Sequence, residues 1–189
     1  MSNSNEKPAA GKAPASALSG YGAAAEASPH DDGRATLQGC LGAAFICVDH
    51  VAIAVRAGDL ESQVGAYTLL GFTEVHREDV LGGDQVREVL LQIGGGPNLI
   101  QLLEPLQADS PVQKLIDRNG GRGGFAHVAF RVTNIQRAFD DMKAKGFNII
   151  DKAPRKGSRD TTVFFVHPKS LDVAPFGFLV EVVQAAVGS

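Results

Sequence analysis

The chain of 189 residues has no tryptophan, only two cysteines, and aromatic side chains at just 6% of its positions. Two cysteines are too few for a disulfide framework. Cys40 and Cys47 are therefore read as free thiols, and the fold must rest on apolar burial. Charge of one sign is equally scarce: 18 Lys and Arg stand against 21 Asp and Glu, for a formal net charge of -3 and a pI near 5.9. That balance excludes a dedicated nucleic-acid binder, whose footprint would be basic. No stretch approaches the roughly 20 consecutive apolar residues of a membrane span, so no membrane partner is expected. What is present is apolar material at 44% of positions, enough for the core of one domain of ordinary size.

Small residues are crowded into positions 1–42, where Ala, Gly, Ser and Pro alternate with scattered charges and no apolar period is visible. A segment of this kind buries too little to offset its chain entropy, and it is expected to be a disordered tail. It lacks the basic start and apolar stretch of a signal peptide. Nor does it read as an Arg-rich presequence, since Arg34 stands alone among Glu6, Glu26, Asp31 and Asp32. A cytoplasmic location is the expectation.

Beyond residue 43 the pattern changes. Phe45 to Val55 reads as a strand, and Asp59 as the N-cap of a helix running to Leu70 and closed by Gly71. Strands are expected over Thr73 to His76, Gln85 to Ile93 and Leu99 to Leu103, with Ser110 capping a short helix from Pro111 to Asn119. The same order then recurs. Ala126-His127-Val128-Ala129-Phe130-Arg131-Val132 echoes Asp49-His50-Val51-Ala52-Ile53-Ala54-Val55, and Asn134 opens a helix ending at Gly146-Phe147 as the first copy ends at Gly71-Phe72. The two histidines are 77 residues apart (50 to 127) and the Gly-Phe pairs 75 (71 to 146), so the copies run nearly in register. Further strands are expected over Asn148 to Asp151, Thr161 to His167 and Phe178 to Val183. The fold class is thus α+β: two βαβββ modules, residues 43–124 and 125–186, joined in one curved mixed sheet around a cleft. The glycine-rich run at 119–124 reads as the hinge between them.

Each copy carries a His in its first strand and one polar residue in an otherwise apolar last strand: Gln101 within Leu99-Ile100-Gln101-Leu102-Leu103, and Glu181 within Leu179-Val180-Glu181-Val182-Val183. Strand alternation puts Ala52 and Ala54 on the face of His50, and Ala129 on that of His127, leaving room beside the histidines. Any one of these polar residues alone would more often be a satisfied core or edge residue. At repeat-matched positions, His50, Gln101, His127 and Glu181 form a mixed N/O set suited to one metal ion with open positions: zinc, cobalt, nickel, manganese or iron(II).

Residues 45–184 resemble the vicinal-oxygen-chelate (glyoxalase) superfamily, and within it the methylmalonyl-CoA epimerase family. The resemblance rests on Asp49-His50-Val51-Ala52, Gln101-Leu102-Leu103-Glu104-Pro105, Asp109-Ser110-Pro111, His127-Val128-Ala129-Phe130, His167-Pro168-Lys169-Ser170 and Leu179-Val180-Glu181. It implies metal ligation by His50, Gln101, His127 and Glu181, with one divalent ion, cobalt before zinc, manganese or nickel. It also implies an acyl-CoA substrate and a homodimer. The expected reaction interconverts the (R) and (S) forms of methylmalonyl-CoA, or of a close 2-substituted malonyl-CoA, by removal and return of the α-proton through a metal-stabilised enolate. By the same resemblance Glu88, together with Glu181, is a catalytic acid/base. On its own sequence context, Glu88 reads as a solvated strand residue paired with Arg87 or Arg77. Alternatives within the superfamily are a glyoxalase I-like isomerase, a ring-cleaving dioxygenase, or a metal-free small-molecule binder.

The chain departs from the family pattern at Ala126, where a second His is usual. Alternation puts Ala126 on the face opposite His127. It also has a longer segment at 171–178 with two added aromatics. Arg155, Lys156, Arg159 and Lys169 are candidates for the CoA phosphates, and His30, His76 and His167 are not expected to be ligands.

Overall fold

Ten residues of alternating burial form β1 (Phe45–Ala54), with Ala52 and Ala54 buried on one face and Val51 and Ile53 turned to the other. The computed structural model describes residues 41, 44–170 and 176–186. The expected disordered tail therefore lies outside the described residues except for Leu41, as do positions 171–175 of the longer segment. After β1 follow α1 (Leu60–Leu69), β2 (Thr73–Val80), β3 (Val86–Gln92), β4 (Leu99–Pro105) and α2 (Pro111–Arg118). The second copy supplies β5 (Gly124–Val132), α3 (Ile135–Ala144), β6 (Arg155–Lys156), β7 (Thr162–Val166) and β8 (Leu179–Gln184).

The eight strands among the described residues join one curled mixed sheet in the order β2-β3-β4-β1-β5-β8-β7-β6. Within each copy the first and last strands pair in parallel, β1 with β4 and β5 with β8. The copies meet where β1 and β5 run antiparallel. The expected α+β architecture of two βαβββ modules is the observed one.

Helices α1 and α3 pack on one side of the sheet through residues that alternate out of the strands. Leu60 of α1 is buried with Val55, Val89, Leu91 and Leu102. Ile135, Ala138, Phe139 and Met142 of α3 are buried on Phe164, Val166, Val180 and Val182. The intervening residues, Val86, Glu88 and Leu90 on β3, Gln101 and Leu103 on β4, and Glu181 and Val183 on β8, face the opposite side. There α2 closes over part of the surface, its Val112 and Ile116 packing on Ala52, Ala54, Val86 and Leu103.

Several local expectations are corrected. Asp59 does not cap α1, because its carboxylate is drawn to Arg56. Instead Glu104 at the end of β4 accepts from the backbone N–H groups of Gly58 (2.8 Å) and Leu60 (3.4 Å), a carboxylate at a helix N-terminus where the exposed N–H groups and the dipole favour it. Ser110 and Asn134 cap as expected, accepting from Val112 and Arg137. No strand spans Asn148 to Asp151; a single bridge joins Ile149 to Val166, and the edge strand is Arg155–Lys156. Here the Asp151 side chain takes the amide of Phe165 that a strand would have paired.

A candidate metal centre at the seam between the copies

Strand register places the candidate ligands in two rows. In one, His50 of β1 stands opposite Ala129 of β5, which stands opposite Glu181 of β8. In the other, Gln101 of β4 stands opposite Ala52 of β1, which stands opposite His127 of β5. The rows are copies of each other under the internal symmetry, with a fully buried alanine between the polar residues of each. A side chain larger than methyl at Ala52 or Ala129 would fill the space where the donors meet.

The ring Nε2 of His50 lies 3.1 Å from Nε2 of His127 and 3.2 Å from Oε2 of Glu181, which is 3.0 Å from His127 Nε2. These separations suit side chains converging on one divalent ion, whose N and O ligands sit at about 2.0–2.2 Å. Gln101 completes the fit. Its Nε2 donates to Glu88 Oε2 at 2.8 Å, while its Oε1 is buried with no hydrogen-bond partner. An orphaned buried amide oxygen is a cost that a cation would remove. The donors and their space therefore fit a divalent ion of the zinc, cobalt, nickel or manganese class.

Behind His50 sits a network the sequence did not reveal. Asp49 is the extra residue of a β-bulge between Val48 and His50, which turns it to the same side as its neighbour. It is 1% exposed and accepts from His50 Nδ1 at 2.8 Å, from Arg131 Nε, and from Arg159 Nη2 at 3.0 Å. Burial alone would raise the Asp49 carboxyl. The bond to His50, the charge of Arg159 and the bond to Arg131 outweigh it and hold the group well below the usual carboxylate range. Burial likewise opposes charge on His50, but Asp49 and Glu181 together lift it to about 9. Burial would raise Glu181 too, yet His127 and His50 bring it down to about 2. A bulge also precedes the second histidine, since His127 pairs with Ala52 but Phe125 with Ile53. Ala126 is therefore not on the opposite face: it lines the cavity beside His127.

The donors open into a cavity of about 570 Å³ that Glu88, Gln101, His127 and Glu181 all line. Phe125, Phe165 and Phe178 contribute aromatic walls, and Gly157 and Ser158 enter from the β6–β7 turn. Only glycine fits at 157, where a Cβ would lie 2.6 Å from Thr161 Oγ1 and 2.7 Å from Val163 Cγ1. Glu88 is buried, 2% exposed, rather than solvated. The arginines expected to pair with it are engaged elsewhere, Arg87 with Asp79 and Arg77 with Glu61 and Glu74. Burial is the main influence on Glu88 and, with Glu78 adding to it, pushes its carboxyl up against the lowering effects of Ser158, Arg159 and His76. Of the candidate phosphate contacts, Arg155 is bound to Asp84 and Asp151, Lys156 pairs with Asp160, and Arg159 is committed to Asp49. Lys169 is exposed. His167 lines the cavity without joining the donor cluster, and His30 lies outside the described residues.

This architecture, two βαβββ copies with donors from both at their seam, is matched by a family model. The Glyoxalase/Bleomycin resistance protein/Dioxygenase superfamily covers residues 49–165. A human protein named mitochondrial methylmalonyl-CoA epimerase is 33% identical over 138 residues, 73% of this chain and 73% of its own. The ethylmalonyl-CoA/methylmalonyl-CoA epimerase of Cereibacter sphaeroides is 32% identical, over 72% of this chain and 96% of its own. Among solved structures, Streptomyces coelicolor methylmalonyl-CoA epimerase in complex with 2-nitronate-propionyl-CoA superposes with a TM-score of 0.66 at 34% identity, over 76% of this chain and 96% of that one. The chain belongs to the glyoxalase superfamily and, within it, to the methylmalonyl-CoA epimerase family. Among the described residues, no helix is long and apolar enough to cross a membrane.

Proposed function

We propose that the chain is a metal-dependent epimerase that interconverts the two configurations of methylmalonyl-CoA or a close 2-substituted malonyl-CoA. The observation that carries this reading is the placement of two buried carboxylates, Glu88 and Glu181, on the walls of one cavity beside the donor cluster. They come from β3 and β8, with three strands between them in the sheet, so a substrate held in the cavity meets one from each half.

Epimerisation at a carbon next to a carbonyl requires a proton to leave one face and another to arrive at the opposite face. Glu88 suits the first task. Its Oε2 is fixed by Gln101 Nε2, and its burial raises its affinity for a proton toward the range where a general base is effective. Glu181 on the opposing wall is the second acid/base. A divalent ion held by His50, Gln101, His127 and Glu181 would supply positive charge as negative charge develops on the substrate oxygens. The donor set contributes one carboxylate charge where two Glu would contribute two. Phe125, Phe165 and Phe178 keep water from the reacting carbon, and Asp49 holds the His50 ring in place through Nδ1. The homodimer belongs to the same reading and would show as a doubled mass in light scattering.

The test is incubation of ion-loaded protein with methylmalonyl-CoA in deuterated water. The expected result is one α-deuterium per molecule together with loss of configurational purity. Absence of exchange in fully loaded protein would overturn the proposal.

A further inference from the structure

A second convergence of ligating side chains lies toward the edge of the sheet, separate from the four donors at the seam. His76 and Glu78 are two residues apart on β2, and Glu78 stands directly opposite Glu88 of β3. Nε2 of His76 is 3.1 Å from Glu78 Oε2 and 3.6 Å from Glu88 Oε1, and one donor atom from each residue lies within 4.8 Å of the others. Two carboxylates facing each other across an antiparallel pair repel. The neighbouring arginines do not relieve them, since Arg77 and Arg87 are paired with other acids. An independent observation points to a missing cation: Glu88 Oε1, in a side chain only 2% exposed, is buried without a hydrogen-bond partner, while Oε2 of the same carboxylate is satisfied by Gln101. One imidazole and two carboxylates is a donor set of the zinc type. His76 and Glu78 are partly exposed, at 27% and 36%, which gives an ion a way in from solvent.

We propose that His76, Glu78 and Glu88 form a second divalent-cation site, of the zinc class, distinct from the centre at the seam. Occupation would engage Glu88 Oε1 and so withdraw this carboxylate from proton transfer, making the site inhibitory. The inhibitory half rests on the role assigned to Glu88 above; the binding half does not.

Zinc binding to the full chain by equilibrium dialysis, with metal counted by atomic absorption, tests the site without reference to activity. Two equivalents are expected in the wild type. One should be lost in His76→Ala and in Glu78→Gln, while the edge equivalent is retained in His127→Ala. Circular dichroism confirms that each variant is folded. Excess zinc should then slow α-proton exchange of the seam-loaded wild type by about 100-fold, the scale of a general base, and leave seam-loaded His76→Ala near its own rate without the excess. One equivalent in the wild type, or a second that survives both His76→Ala and Glu78→Gln, overturns the site. Two equivalents with unimpaired exchange overturn its inhibitory role. A protein that shows no exchange under any condition sinks the epimerase reading, while the zinc count still decides the site.

Discussion

At Glu88 burial and the like charge of Glu78 raise the carboxyl against the lowering effects of Ser158, Arg159 and His76, while the amide of Gln101 fixes one of its oxygens. Glu88→Gln keeps the shape of the side chain but removes its capacity to take a proton. We expect kcat for epimerisation to fall by about 10²- to 10⁴-fold with little change in KM, and the equivalent of metal held at the seam to stay bound. Steady-state kinetics with parallel metal analysis checks this. Asp49 acts one step further out. Asp49→Ala leaves His50 Nδ1 and two arginines without their shared acceptor, and metal affinity should drop by about 10- to 100-fold, read by competition with a chromophoric chelator. The sequence made the four donors legible because the repeat paired them. It hid Asp49, whose counterpart in the second copy is the apolar Ala126, and it hid the engagement of Arg159 with Asp49 and the place of Ser158 on the cavity wall, because a turn between strands carries no alternation to read. The burial of Glu88 was equally invisible. Two arginines flank it in sequence or space, and only the tertiary arrangement shows that both are taken by other acids.

The strands and helices were mostly legible as elements, and the exceptions share a cause: a partner distant in sequence. The charged run Arg77-Glu78-Asp79 looks like a loop, yet β2 extends through it to Val80 because it is an edge strand whose charges pair laterally. Asp59 has the residue type and position of a cap, but Arg56 three residues earlier competes for it and Glu104, far along the chain, replaces it. The two acids should therefore behave oppositely on mutation. Glu104→Ala is expected to lower unfolding free energy by about 1–2 kcal/mol, as loss of a buried helix cap does. Asp59→Ala should change it by no more than about 0.5 kcal/mol, as surface substitutions do. Chemical denaturation followed by circular dichroism separates these outcomes. Register shifts are the other blind spot. Simple alternation put Ala126 on the far face, and the bulge before His127 brings it to the cavity.

For the whole molecule, the donor cluster ties stability to pH in a way that depends on metal. In ion-free protein the raised pKa of His50, from 6.5 to about 9, contributes stability that is fully present below 6.5 and is lost as pH rises through about 9. The lowered pKa of Glu181, from 4.5 to about 2, contributes stability present above 4.5 and lost as pH falls through about 2. From these two groups the ion-free protein should be most stable between 4.5 and 6.5. A metal ligand must be deprotonated, so the ion works in the opposite direction, and the Tm gap between loaded and ion-free protein should widen as pH is raised from 6.5 to 9. Thermal melts across that range, with and without chelator, provide the measurement, and a gap that narrows would contradict it.

The symmetric seam also brings the two ends of the folded unit together. The amide of Thr133 donates to the carbonyl of Ala44 just before β1, and the amide of Ile135 donates to the side chain of Gln184 at the end of β8, both at 2.8 Å. The first and last strands are thus anchored two residues apart on the same turn. A short linker between them, with new ends cut in the glycine-rich connection at 119–123, would reverse the order of the copies while leaving every strand pair intact. Circular permutation should therefore be tolerated, because the order in which the copies are synthesised has no bearing on which side chains meet at the seam.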